Sequence, residues 1–474
     1  MSPFFVSALS AIRPTKELAR KQTNTMTSII YPTTNLKQLE QLNIVKGEGI
    51  YVYDDAGNQY LEGLAGLWCA SLGYGNEELI DAITQQLKTL SYSHMFGGRT
   101  HNAVMQLADK LNEILPVENG KVFFANSGSE ANDSHMKMLR YYFNVTGEPQ
   151  KKKIIALERS YHGVTLAAAS LTGLPANHTH FSLPVKELGI LRTDSPHYYR
   201  SRIDNESERE FCTRILNNLE ELIIKEGPET IAAFIAEPIG GASGVVVPPD
   251  SYFPEVETLL TKYDIMLWSD EVICGFGRTG NDFGCETMGF KPQLLSLAKQ
   301  LSSAYLPISA SVIPDYMYEA MVEPSSQVGV FGHGYTYSGH PAACAAALKT
   351  LEIYQRDKLF EHAQEVGSYM QNRLREFSDH PIVGEVRGRG LLAAVELVAN
   401  KNTGESFEGA SVGAFAKQSC QDHGLLIRAV GGNSIAFCPP LIINTEQIDE
   451  MIEKFSQALQ ITLDYVSAEG LIKH

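Results

Sequence analysis

The sequence predicts an α/β protein: a large domain with a mainly parallel sheet, and a smaller α+β domain formed by both ends of the chain. Between residues 120 and 312, short apolar runs end in polar or Gly-rich residues and alternate with helix-like stretches, as buried parallel strands do. The flanking regions carry a hairpin pattern and long helical patterns instead. A chain of 474 residues is long enough for roughly two or three domains.

The large domain is predicted from its apolar runs. These are Val122–Ala125, Ile154–Leu157, Ile231–Ala236, Ile265–Trp268 and Leu294–Ala298. Helices are predicted over Glu210–Lys225 and Tyr252–Lys262, between successive runs. Strands that alternate with helices favour a layered α/β architecture.

The two flanks are predicted to form the smaller domain. Residues 49–58 combine a strand-like run with an Asp/Gly/Asn turn, which predicts a hairpin. The C-terminal flank predicts a long helix, a loop, a strand and a closing helix, over 341–377, Gly384–Gly390, Leu391–Leu397 and Thr445–Tyr465. We expect the parts to be 29–90, 91–345 and 346–474, with residues 1–28 as a disordered extension.

Composition excludes several classes of function. Hydrophobic residues make up 44% of the chain and charged residues 20%, an ordinary globular mixture. Lys and Arg total 39 against 55 Asp and Glu, and no basic stripe is present, which argues against a nucleic-acid partner. No apolar run approaches the ~18 residues of a membrane helix, so no membrane partner is expected.

The cysteines and the first residues bear on location. The seven cysteines are scattered, with no spacing typical of disulfides or of a metal site, so we expect no metal and a reducing, cytoplasmic compartment. Residues 1–28 are Ser/Thr-rich, with several basic residues and one acid, Glu17. If they are a transit peptide, the location is the mitochondrial matrix. Met26 is an alternative start.

Polar residues follow the predicted strands, where ligands bind in open α/β sheets. Ser127, Gly128 and Ser129 open a helix after the first run, which suits a phosphate or simply a helix cap. Tyr161 and His162 follow the second run, and an aromatic ring there can stack on a flat ligand.

Carboxylates and a lysine follow the remaining runs. Glu237 follows the third run, Asp270 follows the fourth, and Lys299 follows the last. Taken singly, Glu237 is as readily a cap or an ion pair, and Lys299 a solvent-reaching side chain. Together with the phosphate seat and the aromatic ring, they match what pyridoxal phosphate requires: an amine for a Schiff base and a carboxylate for the pyridinium nitrogen.

Gly275–Gly280 matches a dinucleotide-binding pattern by spacing alone. The residues after it do not predict the helix that such a site needs, so we interpret the segment as a Gly-rich loop.

From about residue 35 onward, the chain resembles the class III pyridoxal-phosphate aminotransferases, the ω-transaminase type. Together the matching segments are specific, although no single one is. They include residues 64–68, 126–133, 160–163, 236–238, 270–278, 298–303, 336–341 and 428–429. The resemblance implies fold type I, the aspartate aminotransferase-like fold, with pyridoxal 5'-phosphate as cofactor. Within the family, the amine:pyruvate and 4-aminobutyrate:pyruvate branch is most similar.

The resemblance also implies a role for each site residue. Lys299 carries the cofactor and acts as the base, and Asp270 pairs with the ring nitrogen. Tyr161 and Val272 enclose the ring, and Thr336 reaches the phosphate from a partner subunit. The other implied cofactor contacts are Ser127, Gly128, Ser129, His162 and Glu237, and the implied substrate contacts are Trp68, Phe96, Tyr161 and Arg428.

The implied reaction is transamination from an amine or ω-amino acid to an oxo acid, for which pyruvate is the expected acceptor. The cofactor would cycle through pyridoxamine phosphate. The implied assembly is a homodimer with shared sites, and a tetramer remains an alternative. Fold and cofactor do not fix the reaction, so an aminomutase, a racemase, a decarboxylase and a non-catalytic regulator stay as alternatives. Ala304 replaces the glycine that relatives more often carry, and Phe96 precedes two glycines where relatives are bulkier.

Overall fold

The computed structural model describes residues 28–37, 41–409 and 411–473. The chain divides into two compact units, 1–43 and 44–474. In the first unit, the Gln41 amide donates a hydrogen bond to the Tyr31 hydroxyl at 3.0 Å. The predicted extension lies outside the described residues, except for residue 28. The second unit holds every strand and helix named below.

The strands are numbered β1 to β15. They are β1 (Ile44–Glu48), β2 (Tyr51–Asp54), β3 (Gln59–Glu62), β4 (Lys121–Ala125), β5 (Lys153–Leu157), β6 (Ile190–Thr193), β7 (Ile231–Ala236), β8 (Met266–Asp270), β9 (Leu294–Leu297), β10 (Ser309–Ile313), β11 (Val383–Arg389), β12 (Leu392–Leu397), β13 (Leu425–Leu426), β14 (Arg428–Val430) and β15 (Ser434–Phe437).

The helices are numbered α1 to α14. They are α1 (Ala65–Trp68), α2 (Glu77–Thr89), α3 (Asn102–Asn112), α4 (Gly128–Val145), α5 (Leu166–Leu171), α6 (Tyr198–Ser201), α7 (Glu208–Glu226), α8 (Tyr252–Lys262), α9 (Gly284–Thr287), α10 (Asp315–Val328), α11 (Pro341–Arg356), α12 (Leu359–Arg375), α13 (Ser411–Asp422) and α14 (Thr445–Ala468).

The large sheet has seven strands in the order β4-β10-β9-β8-β7-β5-β6. The pairs from β9 through β8, β7 and β5 to β6 are all parallel. Only β10 is antiparallel to its neighbours, so β4 beyond it runs in the same direction as the parallel strands. The carboxyl ends of β4, β5, β7, β8 and β9 therefore lie along one edge.

Two smaller sheets come from the flanks. The sheet β1-β2-β3-β13 is antiparallel except for β13, which pairs in parallel with β3. The sheet β11-β12-β15-β14 is antiparallel throughout. Segments from both chain ends meet in the first of these sheets, as the sequence predicts. The predicted boundaries at residues 90 and 345 remain predictions.

Most predicted elements are confirmed. All five apolar runs form strands of the large sheet, and both helices between them are present. The loop expected over Gly384–Gly390 is wrong, because Val383–Arg389 is strand β11. The helix expected over 341–377 is two helices, which break at Lys358, where φ is +51°.

Gly275–Gly280 is a turn-rich loop followed by the short helix α9, which confirms its interpretation as a loop. Strand β7 is buried along its whole length, as expected of a central parallel strand. No helix among the described residues is long and apolar enough to cross a membrane.

Candidate active site

A cavity of about 400 Å³ lies at the edge where the parallel strands end. The structure brings nine of the predicted site residues together in its wall. They are Ser127, Gly128, Ser129, Tyr161, His162, Glu237, Asp270, Val272 and Lys299. They come from five different strand ends, which is why the topology, rather than any one motif, assembles the site.

Asp270 is the last residue of β8 and is buried at the cavity. Its Oδ2 lies 2.8 Å from His162 Nδ1 and accepts a hydrogen bond from Asn132 Nδ2 at 3.0 Å. Burial on its own raises the pKa of Asp270, but His162 and Asn132 outweigh that effect and hold the pKa below its usual value. The carboxylate is therefore kept ionised at neutral pH.

Asn132 fixes this carboxylate through a buried network. Its second amide hydrogen reaches the carbonyl of His162 at 2.6 Å, and its Oδ1 accepts from Ser296 Oγ at 2.6 Å. The Trp268 indole in turn donates to Ser296 Oγ at 2.9 Å. Because donors and acceptors are matched, the network holds Asp270 in one orientation.

Lys299 follows β9 with a left-handed backbone, φ +48°. No hydrogen bond or ion pair is recorded for its amine among the described residues. Burial lowers the pKa of Lys299, and the charges of Asp270 and Glu237 oppose that effect without cancelling it. A half-buried, unpartnered amine of this kind is suited to covalent chemistry.

The first turn of α4 forms a seat for an anion. Ser127 caps the helix by accepting from the N–H of Glu130 at 3.2 Å, which leaves the first N–H groups, those of Gly128 and Ser129, at the cavity wall. A side chain at Gly128 would lie only 3.2 Å from Val272. Glycine therefore keeps Val272 close to this seat.

Glu237 is buried and holds two backbone segments. Its Oε1 accepts from the N–H of Tyr161, and its Oε2 from the N–H of Gly241, both at 3.0 Å. Burial raises the pKa of Glu237, while the charge on His162 opposes this. Glu237 is thus an anchor for Tyr161, and neither of its oxygens is recorded in an ion pair within the described residues.

The remaining predicted residues do not line this cavity. Arg428 is the first residue of β14, and burial lowers the pKa of its guanidinium. No hydrogen bond or ion pair of its guanidinium is recorded in the described part of the chain. Trp68 is buried beside the cavity-lining Cys69, whereas Phe96 is 52% exposed. Thr336 is exposed on the surface.

Sequence reasoning missed some of the lining. Asn132 is the important omission, and its signal was its spacing: it is four residues after Gly128, one helical turn along the same face. Cys69 and the segment 304–308 also line the cavity. No local pattern marks them, because only the fold brings them to the strand ends.

The chemical groups that line the cavity fit pyridoxal phosphate. An unpaired amine, an ionised carboxylate, an anion seat and an aromatic ring line one cavity, at Lys299, Asp270, Ser129 and Tyr161. Each group has a complementary part in that cofactor.

Comparison with known proteins gives the same result. The family model described as aminotransferase class-III matches residues 33–459. The chain is 49% identical over 426 residues to gamma aminobutyrate transaminase 3, chloroplastic, of Solanum lycopersicum, a match that covers 90% of this chain and 81% of that one. It is 46% identical to the vanillin aminotransferase of Capsicum chinense, covering 90% and 92% of the two chains.

Solved structures agree. The omega transaminase from Pseudomonas jessenii, in complex with PMP, superposes with a TM-score of 0.91 at 47% identity, covering 93% of this chain and 97% of that one. A transaminase solved with L-Ala superposes with a TM-score of 0.87 at 50% identity, covering 90% and 100%.

Proposed function

The chain belongs to the class III aminotransferases, and from that membership we propose that it transfers the amino group of 4-aminobutyrate to pyruvate. The family makes the protein a transaminase that uses pyridoxal phosphate. The observation that carries the choice of substrate is the Arg428 guanidinium at the start of β14, which makes no hydrogen bond or ion pair among the described residues, since both substrates have a carboxylate for it to bind.

The proposed roles follow from the geometry. When bound, pyridoxal phosphate supplies a ring that accepts the electrons left when a proton leaves the carbon beside the substrate nitrogen. Asp270 keeps a proton on the ring nitrogen, because an ionised carboxylate favours a neighbouring cation. Lys299 would hold the cofactor through its amine and would act as the base that moves a proton to and from the substrate.

Gly128 and Ser129 hold the phosphate by their N–H groups, and Tyr161 and Val272 enclose the ring. His162 orients Asp270, and Glu237 orients Tyr161. Trp68 and Phe96 border the substrate, and Thr336 contacts the phosphate from the partner subunit of a homodimer. We propose that the protein is located in the cytoplasm. The alternative is organelle import, favoured by relatives named as chloroplastic or mitochondrial.

Relatives support these substrates. Several are named gamma-aminobutyrate transaminases, and L-Ala, the amino acid seen with one transaminase, is the aminated form of pyruvate. The name of the vanillin aminotransferase favours an aryl amine as the competing donor.

The test is a donor and acceptor screen on the holoenzyme. We expect the highest kcat/KM with 4-aminobutyrate among 4-aminobutyrate, β-alanine, a diamine and vanillylamine, and with pyruvate over 2-oxoglutarate. Chromatography of the amino acid formed, alanine from pyruvate and glutamate from 2-oxoglutarate, gives the rates. Preference for vanillylamine would replace the donor, and failure of pyruvate would replace the acceptor.

Arg428→Ala separates carboxylate binding from the rest of the reaction. We expect the KM for pyruvate and for 4-aminobutyrate to rise about 10- to 100-fold, because a bidentate ion pair is lost. The half-reaction with a hydrophobic amine that has no carboxylate should barely change. Equal losses with both kinds of amine would instead give Arg428 a structural role.

A further inference from the structure

Arg387 forms the centre of a buried polar cluster on the sheet β11-β12-β15-β14, outside the active-site cavity. It lies in β11 and is 8% exposed. Its Nη1 donates to Glu385 at 2.6 Å and also to Glu396, and its Nη2 donates to Ser434 Oγ at 3.0 Å. Glu396 pairs with Ser434 across β12 and β15, so the cluster spans three strands.

The other donors of Arg387 leave the sheet and hold a loop, residues 237–247. Its Nε donates to the carbonyls of Gly244 at 3.1 Å and Val245 at 3.0 Å, and its Nη2 also donates to the Gly244 carbonyl. Val245 is a buried β-branched residue with φ +52°, a conformation that such residues rarely adopt. Strain of this kind persists only where surrounding contacts impose it.

This loop connects directly to the cavity wall. The N–H of Val245 donates to the Gly241 carbonyl at 3.0 Å, and the N–H of Gly241 donates to Glu237. Glu237 in turn holds the N–H of Tyr161. A continuous series of hydrogen-bonded residues therefore connects Arg387 to Tyr161.

A second connection leads to Arg428. Ser434, which binds Arg387, pairs with Val430 on β14, the strand that begins at Arg428. The loop also packs here, because a side chain at Gly431 would meet the carbonyl of Ser243 at 2.2 Å. The guanidinium of Arg387 thus contacts both the loop 237–247, which leads to Tyr161, and Ser434, which pairs with the strand that carries Arg428.

We propose that Arg387 is a positioning residue of the active site, which fixes Tyr161 through the loop 237–247 and Arg428 through Ser434. The proposal rests on the roles given above to Tyr161 and Arg428. The planar guanidinium group is required, because no other side chain can donate to two carbonyls, two carboxylates and a hydroxyl at once.

A metal ion is a poorer interpretation of the same cluster. His197 lies 3.5 Å from Glu385 and 3.8 Å from Glu396, and these three could supply ligands. Both carboxylates already bind guanidinium groups, those of Arg387 and, at Glu396, also Arg200. A cation would have to displace them.

The test compares holoenzymes of Arg387→Lys and Arg373→Gln. Lysine can keep one ion pair but not the bonds to Gly244 and Val245. Arg373 is the control, because it binds Asp449 in an ion pair and makes no recorded contact with the loop 237–247. We expect Arg387→Lys to raise the KM of carboxylate substrates about 5-fold or more and to alter the visible circular dichroism of the bound cofactor. Arg373→Gln should change neither, and a folded Arg387→Lys enzyme with wild-type KM and dichroism would overturn the proposal.

A double-mutant cycle tests whether Arg387 acts through Glu237. We expect the fall in kcat/KM caused by Glu237→Gln to be at least about 3-fold smaller in the Arg387→Lys enzyme than in wild type, because both substitutions act on one loop. Independent effects would disprove the connection. If Arg387→Lys does not fold, Ser434→Ala replaces it in the KM comparison. A raised KM then supports the proposal, and an unchanged KM contradicts it.

These outcomes are separable from failure of the proposed function. The dichroism needs no substrate, and the cycle uses whichever carboxylate donor the wild-type enzyme accepts. A wild-type enzyme inactive with 4-aminobutyrate would refute the proposed substrate and leave the dichroism comparison intact.

Discussion

At Lys299, burial and charge act in opposite directions. Burial disfavours the ammonium form, while Asp270 and Glu237 favour it, and the net result is a lowered pKa. The amine therefore becomes neutral at lower pH than an exposed lysine, and in its neutral form it is both a nucleophile and a base.

Lys299→Ala is expected to reduce turnover by more than about 10⁴-fold, since the covalent anchor and the proton-transfer group are lost together. Its melting temperature should stay close to that of wild type, because the amine has no recorded partner among the described residues. Steady-state assay and thermal denaturation measure the two effects. Lys153→Ala, which removes an ion pair to Glu226 at another strand, is the control and should stay active. Borohydride reduction that fixes the cofactor to a different lysine would contradict the assignment.

Asp270→Asn is expected to slow the half-reaction with amine about 10²- to 10⁴-fold while weakening cofactor binding far less. The amide cannot stabilise a protonated ring nitrogen, but the phosphate seat at Ser129 is a separate part of the cavity. Stopped-flow absorbance gives the rate, and titration of the apoenzyme gives the cofactor Kd. A near-normal rate would remove Asp270 from the chemistry.

The pH dependence has a definite sign at this residue. The folded-state pKa of Asp270 is lowered, so its ionised form stabilises the fold at neutral pH. That contribution is lost as the pH falls from the unfolded-state value through the folded-state value. Asp270→Asn should therefore flatten the acid side of the stability profile, measured by denaturation at several pH values.

Sequence reasoning located most of this cavity because each key residue directly follows a buried strand. Asp270 and Lys299 could be identified in this way without any structure. Asn132 could be placed on the same helix face as Gly128 by its spacing, but its contact with Asp270 could not be identified, since that contact joins two elements. The partner of an ionisable group is set by packing, which a local pattern does not contain.

At the scale of elements, strands were predictable where they are apolar and buried. Strand β7 has the predicted bounds, whereas β6 and β10 were missed because one is short and mixed and the other carries two serines. Strand β11 was missed because Gly and Arg dominate it. The polar residues of β11 form hydrogen bonds and ion pairs, those of Arg387 above all, and do not follow a hydrophobic periodicity.

The turn after β9 has strained backbone that can be tested. Ser303 and Ala304 both have positive φ, +48° and +62°, and Ala304 is exposed at the cavity wall. A left-handed residue with a side chain costs about 1–2 kcal/mol, and glycine avoids that cost.

Ala304→Gly is expected to stabilise the protein by about 0.5 kcal/mol, after the entropy cost of glycine in the unfolded chain is subtracted. Ala82→Gly, in the middle of α2, is the matched control and should destabilise by about 1 kcal/mol. Urea denaturation gives both values. Destabilisation by Ala304→Gly would show that its methyl group has a packing role.

At the scale of the whole molecule, two segments with exposed apolar residues lie close to Thr336. Leu90, Tyr92 and Phe96 lie in one of them, and Val330 and Tyr337 lie in another, beside Thr336. The two segments are in contact, since the Tyr92 hydroxyl donates to the Thr336 carbonyl at 2.8 Å. Thr336 and these exposed apolar side chains are therefore where the proposed homodimer can be tested.

Mixed dimers test whether Thr336 serves the partner's site. Lys299→Ala and Thr336→Glu should each be inactive, the second because a carboxylate repels the cofactor phosphate. In a mixed dimer, one site combines the intact Lys299 of one chain with the intact Thr336 of the other. Random mixing makes about half of the dimers mixed, with one restored site each, so about a quarter of wild-type activity is expected. The measurement is turnover after the two variants are unfolded and refolded together, with each variant refolded alone as the control. If Thr336 acted within its own chain, both sites of the mixed dimer would carry one defect and the mixture would stay inactive.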